Sequence, residues 1–74
     1  MELRHGAWYR LRDGTRVQAK VLAPNALFRL LDARGRPLYF VSQLGVQRYV
    51  YDEQIDRFYP VPCALRLDDL QSEE

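Results

Sequence analysis

The chain has 74 residues, 47% of them hydrophobic, 28% charged and 12% aromatic, with a formal net charge of +1. That balance excludes a disordered, collagen-like or low-complexity chain, because enough apolar surface is present to offset chain entropy. It fits one small β domain over residues 1–74, with 1–6 and 71–74 expected to fray.

Residues 7–12 alternate bulky and polar groups and read as a first strand. Asp13-Gly14 follows, then a run in which Val17, Ala19 and Val21 share one face and Arg16, Gln18 and Lys20 the other. Period-two alternation marks a strand with one buried face, and Asp-Gly between two such runs predicts a hairpin with a type I′ turn. Pro24-Asn25 supplies the next turn. Leu27–Asp32 reads as a third strand, and Ala33-Arg34-Gly35 as a loop. Pro37–Val41 is a fourth strand, since proline is tolerated at the first residue. Ser42–Gly45 turns the chain again, and Val46–Tyr51 is a fifth strand rich in β-branched and aromatic residues. Tyr51, Ile55, Phe58 and Tyr59 then fall three and four apart. With Asp52 as a cap and Pro60 as a stop, that spacing predicts a short helix over 52–59. Leu65-Arg66-Leu67 is either a sixth strand or a docked extended arm.

Short strands with turns between them and no long helix predict antiparallel β architecture. The expected fold is a small five- to six-stranded SH3-like or OB-like barrel, or a strongly curled sheet with segment 52–59 packed on one face. The spacing from Asp13-Gly14 through Asp32 and Gly35 resembles SH3-like and Tudor-like barrels in outline, and no residue role follows from it.

Catalytic chemistry is sparse. His5 is the only histidine and Cys63 the only cysteine, so a nucleophile–base unit has little to draw on. The two cannot form a four-ligand zinc site. The acids Asp52, Glu53, Asp56, Asp68 and Asp69 lack calcium-loop spacing. The glycines at 6, 14, 35 and 45 are too scattered to cradle a phosphate. The expectation is a non-enzyme without cofactor, metal or small-molecule substrate. The lone cysteine suits a reducing compartment, and no apolar run approaches a membrane span, so the expected location is the cytoplasm. Cys63 itself reads as a small buried hydrophobe.

Charge is unevenly spread. Nine of the eleven basic residues precede residue 49, whereas seven of the ten acids follow residue 48. Either the acidic end folds back over the basic part, or a basic face stands beside an acidic tail. Two functional readings follow. The first is an interaction module for a protein partner or a homo-oligomer, with Tyr39, Tyr49 and Tyr51 as an apolar interface. The alternative is a nucleic-acid-binding barrel whose contact face is Trp8, Arg10, Arg12, Arg16 and Lys20.

Overall fold

A computed structural model of the protein describes residues 3–23 and 27–73. The Pro24-Asn25 turn and the extreme ends, residues 1, 2 and 74, lie outside the described residues. The elements in chain order are β1 (Trp8–Arg10), β2 (Arg16–Ala23), β3 (Leu27–Leu31), β4 (Pro37–Ser42), β5 (Gly45–Asp52), β6 (Arg57–Pro62), a single 3-10 turn (Leu67–Asp69) and β7 (Gln71–Ser72). The strands form one antiparallel sheet in the order β6-β5-β4-β3-β2-β1-β7. The molecule is elongated, 39 × 27 × 22 Å.

Three expectations are corrected. The sheet has seven strands rather than five or six, and it is not closed into a barrel. Segment 52–59 is not helical. Its first residue ends β5, residues 53–56 form the turn, and β6 begins at Arg57. Asp52 does accept a backbone N–H, from Gln54 at 2.9 Å, but that bond makes an Asx turn rather than a helix cap. Asp56 at φ 52° then completes the reversal, in a conformation that aspartate tolerates better than most residues. A helix of eight residues is also marginal by itself and depends on packing of its apolar face. Of the two readings of residues 65–67, the docked arm is the one found: the sixth strand is Arg57–Pro62, Leu65 and Leu67 pack against the core, and Leu67 opens the 3-10 turn.

The first hairpin forms where alternation and Asp13-Gly14 predict it, but with a different loop. Leu11 accepts from the Gly14 N–H at 3.0 Å and donates to the Thr15 carbonyl at 2.8 Å. Only Gly14 has positive φ, at 90°, so the loop is a turn followed by a left-handed glycine, not the type I′ pair. The Asp13 carboxylate accepts the Thr15 N–H at 2.9 Å, which holds its pKa below the usual value.

One face of the sheet makes the core. Tyr9, Leu11, Val17, Ala19, Leu30, Val41, Val46 and Leu70 are buried together. The covering layer comes from both ends of the described chain. Leu3 and Ala7 pack from the N-terminal side, with the Arg4 N–H donating to the Tyr9 hydroxyl at 2.9 Å. Cys63, Leu65, Leu67 and Leu70 pack from the C-terminal side, and the chain then pairs as β7 with β1. The C-terminal arm thus docks on its own subunit. On β5 the Val46 side is the buried one, whereas Gln47, Tyr49 and Tyr51 lie on the opposite face.

The outer edge of β6 is guarded by Pro60 and Pro62, which stand opposite Tyr49 and Gln47. A proline in a ladder must occupy the position whose N–H would point away from its neighbour. Neither residue can therefore offer a donor to an incoming strand, and that edge resists further pairing.

Candidate functional site

The face of the sheet opposite the core has no layer over it among the described residues. Its composition follows from register. Trp8 stands opposite Gln18, and Gln18 opposite Leu31. One step along, Lys20 faces Arg29, Arg29 faces Phe40, and Phe40 faces Gln47. Rings and cations interleave on this surface. The Arg16 guanidinium lies 4.7 Å from the centre of the Trp8 ring, and that of Arg29 lies 5.5 Å from the centre of Tyr49. Phe40 meets Tyr49 edge-on at 6.1 Å. Such cation–ring contacts hold long basic side chains flat against the sheet.

Of the predicted basic patch, the structure brings Trp8, Arg10, Arg16 and Lys20 to this one face, because Arg10 pairs with Arg16 in the same hairpin. Arg12 is not among them. It lies in the loop after β1 and pairs with Asp69 of the 3-10 turn at 3.0 Å. The acidic end does fold back over basic residues. The Nε of Arg16 donates to both carboxylate oxygens of Glu73 at 3.0 Å, and Arg10 approaches the same carboxylate at 3.9 Å. The hydrogen bond from Arg16 holds the Glu73 carboxyl below its usual pKa, and the same bond raises that of the guanidinium. Glu73 is fixed by its own backbone, which donates to the Trp8 carbonyl at 3.2 Å.

Of the predicted apolar trio, Tyr49 and Tyr51 share the outer face of β5, whereas Tyr39 stands opposite Arg48 and packs against the core. Tyr39, Tyr49 and Tyr51 line a single groove of about 440 Å³ with Phe58, Pro37, Leu38, Arg36 and Arg48. It opens where β5 and β6 run past the start of β4 and continue as a two-stranded arm. Tyr51 and Phe58 face each other across that arm, ring centres 5.1 Å apart. The Tyr51 hydroxyl donates to Asp56, which raises the tyrosine pKa. Arg36 is tied to Asp32, whose carboxylate accepts from the backbone of Arg34 and Arg36 and from the Arg36 guanidinium, each at 2.9 Å. The bond from the Arg36 backbone does most to lower the Asp32 pKa.

Sequence reasoning missed Arg29, Phe40 and Phe58 as surface partners of these residues. Nothing local marks them, since their placement depends on registers across three or four strands. His5 accepts the Val21 N–H through Nδ1 at 3.0 Å. Cys63 donates to the Val46 carbonyl at 3.4 Å and packs against the core. Among the described residues no three His, Cys, Asp or Glu side chains group so as to hold a metal ion, and no helix is long and apolar enough to cross a membrane. No family model matches the chain, and neither a curated protein nor a solved structure matches it.

Proposed function

We propose that the protein is a non-enzymatic interaction module that docks a protein partner through the β5–β6 arm, and that this partner is a second copy of the chain. One observation carries the reading. The arm leaves Tyr51 and Phe58 on one face, Tyr59 on the other, and Ile55 in the turn, all between 41% and 57% exposed. Soluble domains seldom gather this many large apolar side chains on one exposed projection unless something covers them. Aromatic anchors edged by polar groups are also the usual anatomy of an interface centre.

Charge favours a second copy as occupant. The groove at the base of the arm carries Arg48 beside Tyr39, together with Arg36, which is already paired with Asp32. The tip of the arm carries Asp52, Glu53 and Asp56 around Ile55, against a single cation, Arg57 opposite Asp52. The acidic tip of one copy complements the basic groove of another, and a two-fold axis makes the exchange reciprocal. With Pro60 and Pro62 blunting β6, the arms meet through side chains rather than by a joined ladder.

Sedimentation velocity from low to high micromolar concentration tests this. A dimer is expected, and Ile55→Asp with Phe58→Ser weakens it by at least about 30-fold, the scale of losing one hot spot. A monomer at every concentration, or a dimer indifferent to both substitutions, would sink the proposal.

A further inference from the structure

The uncovered face of the sheet holds two cations without counter-ions. Lys20 on β2 stands directly opposite Arg29 on β3. Like charges so placed repel each other. Among the described residues neither pairs with a carboxylate, whereas Arg10, Arg12, Arg16 and Arg36 each have one. The Nε of Arg29 is also shut off from solvent with no hydrogen-bond partner. A donor of that kind is costly to leave unmade. The sheet therefore keeps an uncompensated positive centre on this face.

Flat rings flank that centre on both sides. Trp8 lies two strands from Arg29 on the β1 side, and Phe40 and Tyr49 lie on the β4–β5 side. At about 4.8 Å per strand, the rings at the two ends stand well over 10 Å apart, too far for one planar ligand to span. The Trp8 corner already holds an oxyanion, because the Glu73 carboxylate lies across Arg16 and near Arg10.

We infer that this face binds single-stranded nucleic acid running across the strands. Phosphates sit on Lys20 and Arg29, and bases stack on Trp8 at one end and on Phe40 and Tyr49 at the other. A polymer with alternating anions and planar rings matches the surface, whereas an acidic peptide would satisfy the cations and leave the rings bare. A single strand is required because a duplex keeps its base faces stacked and closed to protein rings. Displacement of the Glu73 carboxylate by a phosphate adds Arg10 and Arg16 to the path. The inference is independent of the arm.

Fluorescein-labelled dT12, rU12 and a 12-base-pair duplex test it, by anisotropy titration across a series of salt concentrations. Trp8 is the only tryptophan, so its emission reports contact at one end directly. The single strands are expected to bind and to quench Trp8. The slope of log affinity against log salt should be about −1.4 to −2.8, the value for two to four phosphate contacts on a single strand. Lys20→Gln with Arg29→Gln should flatten that slope by about 1.4. Phe40→Ala should weaken binding roughly 5- to 100-fold, the range for one lost stack, and Phe40→Leu guards against loss of fold. Arg34→Gln, in the loop after β3, with Arg57→Gln, at the start of β6 on the other side of the sheet, changes net charge equally away from the face and should leave the slope alone. Ile55→Asp with Phe58→Ser should also leave binding intact. No binding at low salt, preference for the duplex, unaltered Trp8 emission, or equal losses from the Arg34/Arg57 control would overturn the inference.

Discussion

Replacing Leu70 by alanine tests whether the C-terminal arm closes the core. Leu70 is 2% exposed and packs with Tyr9, Val17 and Leu30 under the covering segment. It also bridges two structures, since its N–H donates to the Leu67 carbonyl at 3.1 Å and β7 starts at the next residue. A buried leucine cut to alanine costs about 2–5 kcal/mol, from lost transfer energy and the cavity left behind. The whole domain is worth only about 4–11 kcal/mol at ~0.05–0.15 per residue. A loss of ~3 kcal/mol lowers Tm by roughly 12–24 °C in a chain of this size. Urea and thermal unfolding by circular dichroism measure both quantities. Leu44→Ala is the control, because Leu44 is 97% exposed and its truncation should stay within ~0.5 kcal/mol. If the two substitutions cost the same, the arm does not cover the core and the packing described above is wrong.

Two further outcomes are expected. Glu73→Gln removes the carboxylate that occupies the Arg10–Arg16 corner and should tighten binding of dT12 about two- to fivefold at low salt, the scale of one surface ion pair; weaker binding would mean that Glu73 positions the face rather than competes for it. Acidification should destabilise the fold. Asp13, Asp32 and Glu73 all have folded-state pKa values held below their usual ones. Their contribution is complete above the ordinary carboxylate range of about 3.9–4.3 and fades as pH falls through the lower folded values. The urea midpoint should therefore drop between pH 5 and pH 3, less steeply in Glu73→Gln, and a midpoint that rises would reverse the sign of the reasoning.

Strands β2 to β5 were legible because alternation and turn residues act over a few positions, as Val17-Gln18-Ala19-Lys20 does. The arm was misread for a physical reason. Tyr51, Ile55, Phe58 and Tyr59 satisfy a helical spacing and a hairpin at once, since Tyr51 pairs with Phe58 and Val50 with Tyr59. Local spacing cannot separate the two, whereas the Asx turn at Asp52 and the left-handed Asp56 decide it. β7 was missed because two polar residues, Gln71 and Ser72, carry no alternation to read. The members of the Trp8 hairpin were visible as a face, but Arg29, Phe40 and Tyr49 join it only once strands β3, β4 and β5 are in register. Arg12 was drawn into the patch by assuming that β1 continues through residue 12, whereas it stops at Arg10.

The pairing of β7 with β1 also orders events in time. Strands β1 to β6 each pair with the next in sequence, and hairpins of that kind form in about 1–10 μs. Made from the open chain, the contact between Tyr9 and Ser72 closes a loop roughly twelve times longer, at an extra entropic cost of about 2 kcal/mol, whereas with the meander formed only residues 63–70 remain to be ordered. The high sequence separation of that contact makes it the pairing expected to form last, after the meander. Until then Val17, Ala19 and Leu30 line an open, apolar trough with nothing over it. The rate of that final closure sets how long the folding chain remains adhesive, and the residues that govern it are Leu67, Leu70 and the two of β7.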